Sequence, residues 1–410
     1  MASNFNPRRP VNRRRDRRRF FWRYFSVSTI IVVIMTTLFG ILGFYQGHQK
    51  AETENTKLAS KTAKTYQQKI TKLRAEALAE KQTPTLNSYF QSRLANIASK
   101  THFLGVAQIY YQDKLVASWQ SGYSNKQANQ LNTATTGFEI NSVQKAMTGA
   151  LLMHQVELGR VKLSDFLSQY YPNVPNSNQI TLRQMLNMIS GLTIPKGYTQ
   201  TVIQPDQQII ANDIAKIVFR PQQYNQWSYQ PINYILLAGI IEKVSGQTYA
   251  NLFQEQIIQK LNLKHTHLSF ALPADYLRAT GYNFAAKSAP ANIYKQPLTI
   301  NNAQKHSELG TGQVYMSAYD LYQVEKGMLN GSLISQSSRD QLFVDGSTSH
   351  YGGGLYNYAN YKGANGAGVG FYSRIHISPD GKTAMVLLTN HPATYLNLDK
   401  VSGAIDTLLF

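Results

Sequence analysis

The chain has 410 residues, 43% hydrophobic and 11% aromatic, enough apolar material for one large domain or two closely joined ones. It contains no cysteine, which excludes a disulfide framework and thiol catalysis. There are 41 Lys and Arg against 22 Asp and Glu, a formal net charge of +19. Nine arginines lie within residues 1–24, and the rest of the chain is also basic. Such a charge favours polyanions, whether nucleic acid, anionic envelope polymers or lipid headgroups.

Residues 25–45 carry no charge and are long enough to cross the hydrocarbon core of a membrane as a helix. The arginine-rich residues 1–24 precede them, with Trp22 and Tyr24 where interfacial aromatic residues belong. The pattern predicts a basic cytoplasmic tail at 1–24, a single transmembrane anchor at 25–45 and an extracellular main domain at a Gram-positive cell surface. A cleaved signal peptide is the alternative, but the apolar run exceeds the usual length and no Ala-x-Ala site follows. A spanning helix directly after the arginines also argues against a nucleic-acid partner.

Residues 46–83 are rich in Lys, Gln, Ala, Thr and Glu and poor in apolar side chains, which predicts a solvated stalk or linker. The predicted domain spans 84–410. Helical spacing of apolar residues, and alternation around short polar or Pro-Gly turns, indicate its elements. They are a helix at 86–100, a hairpin at 104–120, a mostly helical region at about 143–330, a hairpin at 370–390 and a helix at about 394–410. The predicted fold class is α+β, an antiparallel sheet from both chain ends with the helical region inserted between them.

Ser142 and Lys145 stand three positions apart at the start of a helical segment, and residues at this spacing share one face of a helix. A lysine amine with a lowered pKa can take the proton of a serine hydroxyl, which makes the serine a nucleophile. The free N–H groups at a helix start can hold the oxyanion that results. The spacing also occurs by chance in a chain of this length. A helix-capping serine followed by a solvated lysine is therefore the alternative.

Five segments, one of which contains Ser142 and Lys145, add to the evidence from these two residues. They are 138–145, 180–192, 233–246, 309–333 and 351–355. With them, the chain from about residue 86 to its C-terminus resembles the serine β-lactamase and penicillin-binding-protein family, nearest its class C and DD-peptidase branch. The resemblance implies a β-lactamase/transpeptidase-like fold with flanking terminal helices, an acyl-enzyme on Ser142, and no metal ion or cofactor. It also implies that Tyr229 relays protons between the serine, the lysine and the leaving group.

The same resemblance assigns the remaining site residues. The backbone N–H groups of Ser142 and Ala367 are the expected oxyanion hole. Gln230, Pro231, Asn365 and Gly366 occupy the positions expected to contact substrate. His265 and His267 could mimic a metal pair, but no cluster of His, Asp or Glu stands near them in the sequence.

Two departures from the family pattern bear on the substrate. The asparagine of the second motif falls on Pro231, which has no side-chain amide. The third motif, Lys-Thr-Gly or His-x-Gly, falls on Ala364, Asn365 and Gly366, so its cation is missing; Lys362 lies about 7 Å away along a strand. In the family that cation holds the terminal carboxylate of a D-Ala-D-Ala stem or of a β-lactam.

A D-alanyl ester has no such carboxylate and carries a free ammonium, so a missing cation favours it. The chain resembles the D-alanyl esterases that act on lipoteichoic acid in lactic-acid bacteria, in its anchor and in both departures. The expected function is therefore a membrane-anchored D-alanyl esterase, with D-alanylated teichoic acid as its partner. The alternatives are a DD-carboxypeptidase or penicillin-binding protein acting on peptidoglycan stem peptides, or an inactive protein that binds a wall ligand.

Overall fold

Apart from two residues of the predicted stalk, the described part of the chain begins in the helix that opens the predicted domain. The computed structural model describes residues 84–195, 202–283, 294, 296–299, 301–391 and 398–410, together with Gln68 and Lys72. The predicted tail (1–24), the predicted anchor (25–45) and, apart from those two residues, the predicted stalk (46–83) lie outside it. Among the described residues, no helix is both long and apolar enough to cross a membrane.

Short runs of alternating or fully apolar residues form the strands. In chain order, those of the described residues are β1 (Gly105–Tyr111), β2 (Lys114–Ser121), β3 (Tyr123–Asn125), β4 (Gln130–Leu131), β5 (Phe138–Glu139), β6 (Ser190–Thr193), β7 (Val218–Tyr224), β8 (Thr266–Leu268), β9 (Tyr282–Asn283), β10 (Gln296–Pro297), β11 (Val314–Met316), β12 (Tyr351–Gly352), β13 (Leu355–Asn357), β14 (Lys362–Gly368), β15 (Phe371–Ile377) and β16 (Ala384–Thr389).

The helices occupy both ends and most of the middle of the domain. In chain order, those of the described residues are α1 (Pro84–Lys100), α2 (Gln144–Glu157), α3 (Leu182–Leu186), α4 (Asp206–Ile214), α5 (Ile232–Ser245), α6 (Tyr249–Phe253), α7 (Asn302–Ser307), α8 (Ala318–Asn330), α9 (Gln336–Leu342) and α10 (Leu398–Leu409). Single 3₁₀ turns lie at Asn141–Val143, Leu167–Gln169 and Ser177–Gln179, and a π-helical turn lies at Gln254–Gln259.

Seven strands form one antiparallel sheet in the order β12-β13-β14-β15-β16-β1-β2. The first and last parts of the domain meet at its centre, where β1 pairs with β16 and Ile109 lies opposite Met385. Both predicted hairpins are present, as β1–β2 and β15–β16. The predicted α+β fold, with a sheet built from both chain ends and a helical region between them, is confirmed.

Each face of the sheet covers its own hydrophobic core, because successive side chains of a strand point to opposite faces. On β1, Ala107 and Ile109 pack with α1 and α10, whereas Val106 and Tyr110 belong to the larger core shared with the helical region. Helices therefore cover both faces of the strands at the centre of the sheet. The helix that follows Ser142 lies in the larger core.

A run of consecutive buried residues in each of two helices, α2 and α5, fixes the position of α2. In α2, every residue from Gln144 to Met153 is buried, and in α5 every residue from Ile232 to Glu242 is buried. A helix that is apolar around its whole circumference is stable only inside a core. The two helices pack against each other, and α2 also packs against α8 and α9. This packing fixes the residues at the N-terminal end of α2 on a rigid element.

Candidate active site

The nucleophile candidate lies on a tight turn that leads into α2. Asn141 has φ 48°, in the left-handed region that asparagine tolerates better than most residues. The turn is held on both sides, because the Ile140 N–H donates to the Val314 carbonyl at 3.0 Å and the Ser373 hydroxyl donates to the Ile140 carbonyl at 2.7 Å. Ser142 itself is only half-buried, so its hydroxyl stays accessible.

Lys145 lies one turn further along, with its Nζ 2.9 Å from the Ser142 Oγ. The Lys145 side chain is 1% exposed, and its Nζ also donates to the Thr311 carbonyl at 3.3 Å. Burial lowers the pKa of Lys145 to about 7, although the negative charge of Glu308 acts in the opposite direction. A substantial fraction of the amine is therefore neutral near pH 7 and able to accept the serine proton.

A glycine turn between β12 and β13 closes over the start of α2. Gly354 has φ 92°, and a Cβ at this position would overlap the backbone of Ala146. The chain can thus pass directly over the helix turn that carries Lys145, which contributes to its burial. This close passage over α2 explains why the segment 351–355 is rich in glycine.

Tyr229 is the third member of the group. Burial raises the pKa of Tyr229 to about 12, while hydrogen bonds with Ser142 and Tyr351 lower it in part. The Lys145 Nζ lies 5.2 Å from the centre of the Tyr229 ring. At neutral pH the phenol is therefore protonated and can pass a proton between groups on either side. The structure brings Ser142 and Lys145, which their spacing places on one helix face, together with Tyr229, which the family resemblance adds to them.

The segment around Tyr229 is held by Met188 and by the start of α5. The Ser228 N–H donates to the Met188 carbonyl at 2.9 Å. Pro231 opens α5 with φ −53°, a value that proline prefers, and it is exposed. The Gln230 side-chain oxygen accepts a hydrogen bond from the Thr193 hydroxyl at 3.1 Å. Both predicted substrate-contact residues therefore lie next to Tyr229, and neither adds a charge.

Strand β14 passes beside the nucleophile turn. A Cβ at Gly366 would overlap the Ile140 carbonyl oxygen, so only glycine allows this approach. Two residues later, the Gly368 carbonyl accepts a hydrogen bond from the Asn141 side chain at 3.4 Å. Ala367 stands between these two contacts. This places its backbone near Ser142, where an oxyanion donor is needed.

Asn365 requires a correction, because the structure does not bring its side chain to the site. Its Oδ1 accepts a hydrogen bond from the Arg374 Nε at 2.6 Å, and Arg374 is bound in turn to Asp399 and Ser402 of α10. The neighbouring Ala364 belongs to the larger core on the other face of the sheet. Alternation along β14 therefore directs Asn365 away from Ser142.

Neither Lys362 nor Ala364 supplies the missing cation of the third motif. The Lys362 Nζ donates to the Asn357 side chain at 2.7 Å and lies 4.6 Å from the centre of the Phe343 ring. Burial, with a smaller contribution from Arg339, lowers the pKa of Lys362 to about 8. Ala364 is 2% exposed within the core. The amine of Lys362 is thus held at the beginning of β14, away from Gly366.

A buried ion-pair network beside the nucleophile turn was not predicted. The Lys305 Nζ lies 2.6 Å from Glu139, 2.9 Å from Glu308 and 3.4 Å from the Asn141 Oδ1. Burial alone would lower the pKa of Lys305, but the two carboxylates raise it, so the lysine is charged. Its partners Glu139 and Asn141 lie more than 160 positions earlier in the chain. The only local signal is the i, i+3 spacing of Lys305 and Glu308.

Metal-ion chemistry has no evident site in the described part of the chain, where no group of three or more His, Asp or Glu could hold a metal ion. The two histidines considered from the sequence have other surroundings. The His267 ring packs edge to face on Tyr276 at 4.6 Å, and the His265 carbonyl accepts a hydrogen bond from the Tyr276 hydroxyl at 2.9 Å.

Known proteins are similar to this chain in both sequence and fold. The beta-lactamase family model matches residues 86–402. The penicillin-binding protein PbpX of Bacillus subtilis (strain 168) is 28% identical over 341 residues, which are 83% of this chain and 83% of that protein. The teichoic acid D-alanine hydrolase of Staphylococcus aureus (strain NCTC 8325 / PS 47) is 29% identical over 289 residues, 70% of this chain and 65% of that protein.

Two solved structures show the same architecture. FmtA from Staphylococcus aureus has a TM-score of 0.68 at 24% identity, over 77% of this chain and 86% of that one. The D-amino acid amidase from Ochrobactrum anthropi SV3, complexed with L-phenylalanine amide, has a TM-score of 0.64 at 20% identity, over 78% and 97%. At these identities the likeness is one of fold. Since the family model spans nearly the whole described domain, the chain belongs to the beta-lactamase family and is a serine hydrolase.

Proposed function

We propose that the protein is a D-alanyl esterase that removes D-alanine from lipoteichoic acid through an acyl-enzyme on Ser142. One observation carries this proposal. The site brings together a serine, a lysine and a tyrosine, and in the described part of the chain Lys362, the candidate for the cation that would hold a substrate carboxylate, is bound to Asn357 instead. Such a site is suited to an ester or amide whose leaving group carries no carboxylate.

The proposed reaction uses these groups in sequence. Lys145 takes the proton of Ser142 as the serine Oγ bonds to the ester carbonyl carbon, and the N–H groups of Ser142 and Ala367 hold the oxyanion. When the intermediate collapses, the glycerol oxygen leaves with a proton that returns from Lys145 through Tyr229. Water then attacks the D-alanyl ester of Ser142 by the same proton path, which releases D-alanine and restores the serine.

Two further facts support this substrate. One relative bears the name teichoic acid D-alanine hydrolase, and a protein of the same fold is a D-amino acid amidase. The chain is basic beyond residues 1–24 as well, which favours a polyanionic glycerol-phosphate polymer. In this proposal residues 1–24 are cytoplasmic, 25–45 span the cell membrane and 46–83 hold the catalytic domain outside it, near a membrane-anchored polymer.

A DD-carboxypeptidase acting on peptidoglycan stem peptides is the second candidate. The similarity to the penicillin-binding protein PbpX, which extends over most of both chains, favours it. The position of Lys362 and the burial of Ala364 argue against it, since neither can hold a terminal carboxylate beside Ser142. An inactive wall-ligand binder is disfavoured by the 2.9 Å contact between Lys145 and Ser142.

Release of D-alanine distinguishes the candidates. The full-length protein in detergent is incubated with purified D-alanylated lipoteichoic acid and, separately, with a pentapeptide stem ending in D-Ala-D-Ala, with the Ser142→Ala variant as blank. We expect faster release from the polymer. Because exposed charges are screened over about 8 Å at physiological salt, release from the polymer should also fall with added salt. Faster cleavage of the pentapeptide, with the polymer untouched, would establish the carboxypeptidase instead.

A further inference from the structure

The network of Glu139, Lys305 and Glu308 places two carboxylates around one ammonium beside the nucleophile turn. Lys305 has a fully buried partner in Glu139 at 2.6 Å, which is sufficient to balance its charge. Glu308 is a second carboxylate on the same ammonium, at 2.9 Å. Burial raises the pKa of Glu139 to about 7 against the opposing effect of Lys305, so above that pH, with Glu308 ionised, the three residues carry one net negative charge. A cation that enters the neighbouring site is attracted by it, and an anion is repelled.

Glu308 is the member of this network that a ligand can reach. Its side chain is 33% exposed, against 1% for Lys305, and Glu139 is fully buried. Its Oε2 binds Lys305, while its Oε1 has no hydrogen-bond or ion-pair partner among the described residues. Lys305 therefore holds the carboxylate in place by one oxygen and leaves the other oxygen available as an acceptor.

The same residue belongs to the loop that contacts Lys145. The Glu308 carbonyl accepts hydrogen bonds from the Thr311 N–H at 2.8 Å and from the Thr311 hydroxyl at 3.0 Å. The Thr311 carbonyl accepts in turn from the Lys145 Nζ at 3.3 Å. The negative charge of Glu308 also acts on Lys145: it raises the pKa of Lys145, whereas burial lowers it. Glu308 is thus tied through Thr311 to the lysine that serves Ser142, and its charge acts on that lysine.

We propose that Glu308 forms an ammonium subsite that binds the α-amino group of the acyl chain and so selects esters of amino acids. The inference rests on the proposed function and extends it to the residue that recognises the acyl group. The α-ammonium of a D-alanyl ester is one carbon from the carbonyl that Ser142 attacks. It can donate a charge-assisted hydrogen bond to the Glu308 Oε1. A substrate carboxylate in the same place would meet like charge.

Two glycerol esters of nearly equal shape test this subsite. D-Alanyl-glycerol carries the ammonium, and propionyl-glycerol has a hydrogen in its place. The readout is the ratio of their kcat/KM values, which cancels any effect of Glu308 on the basicity of Lys145. We expect the wild-type protein to prefer D-alanyl-glycerol, and Glu308→Gln to lower the ratio by about 10- to 100-fold, the range for a lost hydrogen bond to a charged group.

Two further variants serve as controls. Glu308→Asp keeps the charge and should retain more of the preference than Glu308→Gln. Glu255→Gln removes a carboxylate that is exposed on the π-helical turn and makes no polar contact with the site among the described residues. This change should leave the ratio at the wild-type value. Circular dichroism of each variant verifies that it is folded.

The outcomes separate this inference from the proposed function. If the wild-type protein hydrolyses both esters equally, or if Glu308→Gln keeps the wild-type ratio, the ammonium subsite is wrong and the esterase remains. If neither ester is hydrolysed, the proposed function fails. In that case calorimetry tests the subsite, by comparing the affinity of D-alanyl-glycerol for the Ser142→Ala variant with its affinity for the Ser142→Ala, Glu308→Gln double variant. Weaker binding in the double variant supports the subsite, and equal binding overturns it.

Discussion

The Nζ of Lys145 lies 2.9 Å from the Oγ of Ser142, and the lysine side chain is 1% exposed. The contact follows from the spacing of the two residues on one helix face, whereas the burial comes from the surrounding loop and the β12–β13 turn. Burial lowers the pKa of Lys145 to about 7 and converts an ordinary ammonium into a base that works near neutral pH.

Ser142 should form a covalent adduct with a fluorophosphonate probe, because a neutral Lys145 and the accessible hydroxyl make it the activated serine. Intact-protein mass spectrometry detects the adduct. It should be absent from Ser142→Ala and unchanged in Ser337→Ala, which alters an exposed serine of α9. An adduct that persists in Ser142→Ala would place the nucleophile elsewhere.

Activity on a small ester should rise with pH through a midpoint near 7. Protonated Lys145 cannot accept the serine proton, so activity is lost as the pH falls through its pKa of about 7. Glu308→Gln removes a charge that raises this pKa, so the midpoint should move to lower pH. Lys145→Arg, always protonated, should lose a factor on the order of 10² to 10⁴ in turnover. A midpoint near 10 would show that burial does not act on this lysine.

Tyr229→Phe should lower turnover by a factor on the order of 10² to 10⁴, because it removes the hydroxyl that passes protons. The ring remains and keeps its edge-to-face contact with Tyr351 at 5.8 Å between centroids. Tyr356→Phe changes a half-buried neighbour and should keep most of the activity. Steady-state kinetics on one ester compares the two. Near wild-type turnover in Tyr229→Phe would exclude the hydroxyl from the proton path.

Gly366→Ala should reduce both stability and activity. The new Cβ overlaps the Ile140 carbonyl oxygen, which must move together with the turn that carries Ser142. Overpacking of this kind costs about 1–3 kcal/mol. Gly403→Ala is the control, since this exposed glycine of α10 has open space around it and alanine favours helix by about 1 kcal/mol. Thermal unfolding should give a lower Tm for the first variant and an equal or higher Tm for the second. A Gly366→Ala protein with wild-type Tm and kcat would contradict the close approach.

Penicillin should acylate the protein slowly. Pro231 has no amide, and the amine of Lys362 is bound to Asn357 rather than placed beside Gly366. A lost hydrogen bond to a charged group corresponds to about 1.5–3 kcal/mol, so acylation should be slower by about 10- to 100-fold than with the complete motifs. Labelling by a fluorescent penicillin over time measures the rate, with Ser142→Ala as blank. Rapid stoichiometric labelling would mean that another cation completes the site.

Much of the framework could be predicted from local patterns. Alternation around short turns identified the hairpins β1–β2 and β15–β16, because the chain segments that pair are neighbours in sequence. The spacing of Ser142 and Lys145 predicted their contact, because i and i+3 on a helix are adjacent whatever surrounds them. Tyr229 follows only from the resemblance to a family, since nothing local distinguishes it from the other 25 tyrosines of the chain.

The tertiary structure decided the chemistry of the site. Lys145 meets the Thr311 carbonyl 166 positions away, and Lys305 meets Asn141 164 positions away. A local pattern does not reveal contacts at such separations or the burial that lowers a pKa. The face of β14 that Asn365 occupies was likewise decided only by tertiary contacts, since Arg374 of β15 binds both the Asn365 side chain and Ser402 of α10. The sequence by itself determined which side chains could react; the folded chain decided which are buried, charged and in reach, since burial and charge depend on neighbours that are distant in sequence.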